Sequence, residues 1–203
     1  MAIIKNRYAE HAAEAIKIAE YVVNFKDVFI LKSAYERMRE WFVEEGYATN
    51  SDKDFPEVFY LDKEGKGGKE LWIRWRFQKN PMGGKMKDFW RYDFDVDIHV
   101  LTLVQVETIV DNKKIKADKG EVEIQVKANL VMDWKSMLKK NSLLSPFKEI
   151  IYRFFLHDTR KRLENEFYEN VYGFRETLAN FFKLLHYEAK KGGIEFWPRK
   201  LPE

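Results

Sequence analysis

The chain contains no cysteine among its 203 residues. This absence excludes disulfide bonds, thiolate zinc sites and cysteine nucleophiles. No stretch of about 18 consecutive apolar residues occurs, so we expect no transmembrane helix. The first residues lack the apolar core of a signal peptide because Lys5, Arg7 and Glu10 interrupt it. We therefore predict a cytoplasmic protein.

An excess of charge of one sign is also missing. The 36 basic and 33 acidic residues nearly cancel, to a net charge of +3, and no basic stripe follows the chain. Dedicated nucleic-acid-binding proteins carry such a stripe, so we predict no nucleic-acid partner. The absence of cysteine together with abundant lysine and glutamate favours a thermophilic source.

Apolar residues are plentiful, at 45% of the chain with 16% aromatic, which is enough to bury a sizeable core in a single domain. The clearest pattern is in Phe89–Val100, where apolar and polar residues alternate. Such alternation indicates a strand with one face on a core and the other in water. The even positions are Trp90, Tyr92, Phe94, Val96, Ile98 and Val100, and the odd positions are Arg91, Asp93, Asp95, Asp97 and His99.

Residues 1–50 are predicted to form a mainly helical N-terminal part. Lys5–Asn24 carries small apolar residues at helical spacing, which predicts a helix. The short apolar run Phe25–Leu31 is compatible with a strand. Ser33 and Glu36 form a capping-box pattern that opens a second helix, running to about Glu45. Its predicted inward residues are Ala34, Met38, Trp41 and Phe42.

Residues 55–134 are predicted to form an antiparallel sheet of about four or more strands. The predicted strands are Glu57–Asp62, Glu70–Phe77, Phe89–Val110 and Gly120–Trp134. The third is far longer than a usual strand of about 5–6 residues. We therefore expect a bend or bulge near Leu101–Leu103, where apolar residues enter the polar face.

Residues 145–191 are predicted to form a long C-terminal helix, with Ser145 as N-cap and Pro146 as its first residue. A straight helix of this length would span on the order of 65 Å. That exceeds the diameter of a compact domain of this size, so the helix either breaks near His157–Asp158 or projects. Its apolar stripe consists of Leu163, Phe167, Val171, Phe174, Leu178, Phe181 and Leu185. The whole pattern predicts one α+β domain, with this helix packed on the apolar face of the sheet.

The row Asp93, Asp95, Asp97 and His99 contains ligand types suited to a metal or catalytic site. Cross-strand pairing offers a simpler explanation, because residues directly opposite in an antiparallel pair share a face. We favour an ion-pair lattice on the solvent face and predict no metal, no cofactor and no assigned catalytic residue.

Because the apolar residues of neighbouring strands must share a face, the pattern determines whether the numbers of two paired residues have an odd or an even sum. The predicted pairs are Arg76 with Asp93, Arg74 with Asp95, and Lys127 with Asp97. The third and fourth strands require an even sum, whereas a two-residue turn at Asp111–Asn112 would give an odd one. A three-residue loop or a bulge near Gly120 is therefore required.

Two surfaces are candidates for contact with a protein partner or a second copy of the chain. The loop over residues 79–90 combines Met82, Met86 and Trp90 with lysines, a mixture that suits a partner or a peripheral contact with a membrane surface. Alternatively, its aromatic residues merely begin the next strand. On the long helix, Phe174 and Leu178 lie either in an interhelical seam or in the core.

The element order over residues 25–190, a helix, a meander and a long C-terminal helix, resembles the helix-grip architecture of START-like lipid- and ligand-binding domains. That resemblance implies an apolar cavity for a hydrophobic small molecule between sheet and helix. Five inward side chains would either line or fill it: Trp75, Phe77, Trp90, Tyr92 and Phe94. The segments VMDWKSM and IIYRFFLHDTRKRLENEFYENVYGF also resemble a group of uncharacterised archaeal proteins, a likeness that implies no activity.

Three functional hypotheses follow. The first is a non-catalytic binding or assembly domain that engages a protein partner or a second copy. The second is a carrier of a hydrophobic ligand or lipid. The third is a hydrolase-like enzyme with its site on the sheet, for which Asp97 and His99 are the acid–base candidates.

Overall fold

The computed structural model describes residues 14–65, 67–83, 88–110, 113–135, 146, 150–151 and 156–182. Within these ranges the chain has the predicted α+β class, with a five-stranded antiparallel sheet and two helices on one of its faces. In chain order the strands are β1 (Glu14–Phe29), β2 (Glu57–Gly65), β3 (Gly68–Lys79), β4 (Trp90–Val110) and β5 (Lys113–Met132). The helices are α1 (Leu31–Glu44) and α2 (His157–Phe181).

The sheet has the spatial order β1-β5-β4-β3-β2. Strands β2 to β5 form the predicted meander, and β1 pairs with β5. Since α1 follows β1 and precedes β2, the chain crosses the sheet from one edge strand to the other between them. Strands β1 and β2 are thus the two edges of the described sheet.

The prediction of a helix over Lys5–Asn24 is wrong for its described part. Glu14–Phe29 is a strand, paired with β5 and buried at Ala19, Val23 and Phe29. The small residues at helical spacing were misleading, because the segment also alternates and contains adjacent β-branched valines. Pairing with a long neighbouring strand decides the structure. Of the predicted strand at Phe25–Leu31, residues 25–29 are the end of this same strand, whereas Leu31 begins α1.

Helix α1 begins at Leu31, two residues before the predicted capping box, so Ser33 is not its N-cap. An acidic side chain from β5 takes the capping role, because the Leu31 amide donates a hydrogen bond of 3.0 Å to Asp118 Oδ2. The predicted inward side chains of α1 are buried as expected: Ala34, Met38, Trp41 and Phe42.

Helix α2 begins at His157, with Leu156 as its N-cap. The predicted cap at Ser145 and the predicted end of the helix near residue 191 lie outside the described residues. Its stripe from Leu163 to Leu178 is buried against the sheet. The ring of Phe167 stacks on Tyr92 at 4.3 Å between centroids, and the Tyr92 hydroxyl donates to the Leu163 carbonyl at 3.1 Å.

The predicted bulge lies where the sequence places it. The pairing of β4 with β5 shifts between Leu101 and Val104, opposite Gly120, and Thr102 has a φ of +50°. A Cβ on Gly120 would approach the Leu101 carbonyl oxygen to 3.0 Å, so this position favours glycine. One extra residue on β4 lets Val110 pair with Lys113 while the apolar residues of both strands stay on the same face, as predicted.

The register of the sheet has the predicted parity but is shifted by two residues. Arg76 lies opposite Asp95, Arg74 opposite Asp97, and Lys127 opposite Asp95. A shift of two keeps every side chain on its face, so the face assignments hold while the individual partners change. Alternation of apolar and polar residues determines only whether paired residue numbers have an odd or an even sum. Any shift of the register by an even number of residues agrees with it equally well.

The two faces of the sheet are covered to different extents. The inner face carries α1 and α2 over an aromatic core, in which Phe42 stacks on Phe77 at 3.8 Å and Phe174 lies 4.8 Å from Phe42. The outer face carries the polar residues Arg74, Arg76, Asp95 and Asp97 and remains partly exposed along its middle.

The prediction that the whole polar row faces water is wrong at one end. Asp93 is fully buried and Arg91 is 9% exposed. Arg91 Nε donates to Asp93 Oδ1 at 2.7 Å, and its guanidinium lies 4.9 Å from the centre of the Trp134 ring. Val131, on the same face at the end of β5, is also buried. The outer face is therefore covered where β4 begins.

Candidate binding surface

Edge strand β2 exposes four consecutive apolar or aromatic side chains. The exposed fractions are 62% for Val58, 40% for Phe59, 56% for Tyr60 and 43% for Leu61. Scattered exposed apolar residues are normal on a protein surface, whereas a contiguous group marks a contact site. We name Val58–Leu61 the β2 apolar window.

The window lies on a strand that is anchored on one side only. Its inner neighbour β3 pairs with it along the hairpin, in which Phe59 faces Arg74, Tyr60 faces Ile73 and Leu61 faces Trp72. No strand pairs with its other side among the described residues. Such an edge presents unpaired backbone N–H and C=O groups as a template for another strand.

Glu57 fixes the start of β2. Its Oε2 atom accepts hydrogen bonds from the Tyr35 hydroxyl and from Trp75 Nε1, both at 2.9 Å. Burial, together with the hydrogen bond to Glu57, raises the pKa of Tyr35. The register shifts between Glu57 and Phe59, so Val58 lies in a bulge. The residue directly before the window is therefore held by contacts to α1 and β3.

The window is bounded by charge at its other end. Asp62, Lys63 and Glu64 follow it directly, and Asp62 and Glu64 both lie near Lys69 Nζ, at 3.5 and 3.7 Å. Charged residues and bulges are devices that limit uncontrolled edge-to-edge pairing. Because the bulge at Val58 precedes Phe59–Leu61 and the charged segment follows it, a short apolar segment is left open.

The two faces of the window are different. Phe59 and Leu61 lie on the outer face, since their partners on β3 are Arg74 and Trp72, whereas Tyr60 lies on the inner side. The Arg74 guanidinium lies 5.2 Å from the centre of the Phe59 ring. On the outer face the apolar surface continues inward through Trp72, whose ring stacks on His99 at 3.5 Å between centroids.

His99 is held in a structural contact. Its Nε2–H donates to Glu70 Oε1 at 2.9 Å, and Trp72 Nε1 donates to the same oxygen at 3.2 Å. The hydrogen bond from His99 lowers the pKa of Glu70 below its ordinary value. Asp97, the other acid–base candidate, contacts Arg76 Nη2 at 2.5 Å. Both members of the hypothesised catalytic pair are thus engaged with other side chains.

The acidic row forms ion pairs with basic residues of β3, as predicted, but the partners differ from the predicted pairs. Arg76 Nε lies 3.8 Å from Asp95 Oδ1, and Arg74 Nε lies 3.8 Å from Asp97 Oδ1. No group of three or more metal-ligand side chains comes together among the described residues. In this part of the chain the row is a lattice of paired charges.

The five side chains predicted to line a ligand cavity lie in the core, each with at most a trace of exposed surface: Trp75, Phe77, Trp90, Tyr92 and Phe94. They contact rings from both helices. Phe77 stacks on Phe42, and Phe94 lies 5.7 Å from Phe174. One buried polar atom in this set, Trp90 Nε1, has no hydrogen-bond partner among the described residues.

The predicted interface residues are placed differently from the hypothesis. Phe174 and Leu178 are 0% and 2% exposed and pack against the sheet, so in the described domain they are core residues. Trp90 is also fully buried, because it begins β4 on the inner face. Met82 is half-buried against the core, and Met86 lies outside the described residues. Of the two alternatives for each site, the structure shows the core position for Phe174 and Leu178 and the start of the next strand for Trp90.

Sequence reasoning missed the β2 apolar window, although a signal for it exists. The run Val58-Phe59-Tyr60-Leu61 is apolar without alternation, which is typical of a strand buried on both faces. On a strand at the edge of an antiparallel sheet, the same run leaves apolar side chains exposed on both faces. The edge position itself depends on the pairing of β1 with β5, which the sequence pattern did not reveal.

In comparisons with known proteins, no family model and no curated protein matches this chain. None of the helices in the described ranges combines the length and apolar character needed to cross a membrane.

Proposed function

We propose that this protein is a non-catalytic binding and assembly domain that takes up an extended strand of a partner along the free edge of β2. The observation that carries the proposal is the β2 apolar window, four consecutive exposed side chains on an edge that no strand of the described residues pairs with. Strand addition supplies affinity through main-chain hydrogen bonds and specificity through alternate side chains. The proposal retains the cytoplasmic location expected from the sequence.

The contrast between the two edges supports β2 rather than β1. The exposed apolar side chains of β1, Val22 and Val28, are separated by polar residues that include Lys26 and Asp27. Those of β2 are adjacent and flanked by a bulge and a charged segment. A partner strand at β2 would therefore bury apolar side chains on both of its faces.

Selection of peptides from a random displayed library tests this proposal. We expect wild-type protein to enrich extended peptides rich in β-branched and aromatic residues. These peptides should lose at least about tenfold in affinity for a Tyr60→Lys, Leu61→Lys double variant, since a tenfold loss corresponds to about 1.4 kcal/mol. A Val22→Lys, Val28→Lys double variant on the opposite edge is the matched control and should bind normally. Peptides that bind both variants equally well would contradict the proposal.

A second candidate function is transport of a hydrophobic ligand between sheet and helices, as the START-like resemblance implies. The observation that favours it is the buried Trp90 indole N–H, which lacks a partner among the described residues. Buried donors are usually satisfied, and a carbonyl or hydroxyl of a ligand could accept this one.

Native mass spectrometry of protein purified without detergent tests the carrier hypothesis. A bound ligand would add mass that disappears on denaturation, and Trp90→Phe, which keeps an aromatic ring but removes the donor, should lower its occupancy. A clean mass of the unliganded chain, or equal occupancy in Trp90→Phe, would contradict the role of this donor.

A further inference from the structure

We propose that the occupant of the β2 edge is a second copy of this chain, paired antiparallel so that Tyr60 faces Tyr60 of the other copy. This inference rests on the proposed function, because it names the partner strand that the free edge takes up. The two five-stranded sheets would then join into one sheet of ten strands.

The faces of the strand restrict the register of such a pair. Residues opposite each other in an antiparallel pair share a face. For a strand paired with its own copy, the two residue numbers must therefore have an even sum. A sum of 120 places Tyr60 on the symmetry axis and Phe59 opposite Leu61 of the other copy. Each residue of the apolar window outside the bulge, Phe59, Tyr60 and Leu61, then faces another member of the window.

Even registers shifted toward the charged end of the strand are less complementary. With Leu61 on the axis, Phe59 would face Lys63, and Tyr60 would face Asp62. With Asp62 on the axis, two carboxylates would face each other, which is destabilising. The register centred on Tyr60 avoids both arrangements and buries Phe59, Tyr60 and Leu61 of each copy against one another.

On the outer face, the apolar contact between the two paired β2 strands continues onto residues of β3. Trp72 lies beside Leu61 on β3, and Arg74 lies beside Phe59. In the pair, each outer row would run from Trp72 through Leu61 to Phe59 of the other copy and end at its Arg74. The cation–π contact that already links Phe59 to Arg74 would thus lie at the end of a continuous apolar row.

The extent of the window predicts a reversible association. Stable specific complexes bury about 1,200–2,000 Å² in total. Four partly exposed side chains per copy and one short strand edge fall below that range. We therefore expect a monomer–dimer equilibrium that depends on protein concentration rather than a permanent dimer.

Sedimentation velocity over a concentration series tests the inference with variants that place a positive or a negative charge at position 60, on the symmetry axis. Tyr60→Lys alone and Tyr60→Glu alone should each weaken self-association at least about tenfold, because like charges would meet on the axis. An equimolar mixture of the two should restore a dimer, because opposite charges then face each other. Val22→Lys on β1 is the control and should associate as wild type does.

The outcomes separate this inference from the proposed function. A wild-type protein that stays monomeric into the millimolar range overturns the self-pairing. A mixture of charge variants that fails to associate overturns the register and with it the inference. If peptides still bind at the β2 edge in either case, the proposed function stands, and only the identity of the partner strand is wrong. Circular dichroism of each variant verifies that the fold is retained.

Discussion

Replacement of Phe174 by alanine tests whether the stripe on α2 is core or interface. The Phe174 side chain is fully buried and lies 4.9 Å from the Trp41 ring and 4.8 Å from the Phe42 ring, between ring centroids. Phe94 on β4 completes its surroundings at 5.7 Å. The residue therefore joins both helices to the sheet, and its removal would leave a cavity at their junction.

The expected loss of stability follows from burial. Truncation of a buried phenylalanine to alanine costs about 3–5 kcal/mol in transfer and cavity terms. For a domain of this size, each kcal/mol lowers the melting temperature by about 2–4 °C. Phe174→Ala should therefore lower the free energy of unfolding in urea by about 3–5 kcal/mol and the melting temperature by about 6–20 °C.

Tyr168→Ala on the same helix is the matched control. Tyr168 is 46% exposed, so its truncation should cost less than about 1 kcal/mol. A loss below about 1 kcal/mol in Phe174→Ala would refute the core assignment. A loss of self-association in that variant without a loss of stability would instead restore the helix seam as an interface.

Three further predictions concern other contacts. Asp118→Ala removes the acceptor that caps α1 and should lower the free energy of unfolding in urea by about 1 kcal/mol; an unchanged value would contradict the cap. Asp93→Ala leaves the buried Arg91 charge without its carboxylate and should cost about 3–5 kcal/mol in the same titration, whereas a loss under 1 kcal/mol would mean that water reaches this pair. Burial raises the pKa of both Tyr47 and Tyr92, while tyrosines of the unfolded chain ionise near pH 10. The unfolded state therefore loses protons first, so stability should fall as the pH rises above about 10, and a flat profile from pH 9 to 11 would contradict this burial.

Alternation predicted the meander well because it reports burial directly. The faces of β3, β4 and β5, the bulge opposite Gly120 and the buried side of α1 all follow from which residues are apolar. Pairing partners did not follow, because an even shift of register preserves each face. The Arg76 side chain reaches Asp97 rather than the predicted Asp93, although the residue types in the lattice are the same.

The errors come from contacts between residues distant in sequence. β1 was predicted as a helix because its small residues fit helical spacing, and only pairing with β5 makes it a strand. Asp118 caps α1 across 87 residues, and no local motif could show that. The burial of Asp93 likewise depends on the cover of one end of the outer face.

The candidate surface could not be predicted because it depends on which strands form the edges. An apolar run such as Val58–Leu61 has the same sequence signature in a buried central strand. Its exposure is settled by the spatial order of the sheet, with β2 at the end and the helices placed over β3, β4, β5 and β1. Of the two positions expected for Phe174 and Leu178 on α2, seam or core, the structure shows the core.

Hydrogen–deuterium exchange of the backbone amides of β2 at low and high protein concentration is the most direct test of the central claim, that the β2 edge is a binding surface. Association along this edge predicts that alternate amides of the β2 apolar window, those directed away from β3, become protected as concentration rises. The amides at the free edge of β1 should show no such change. Exchange in β2 that is independent of concentration and of added selected peptide would contradict the claim.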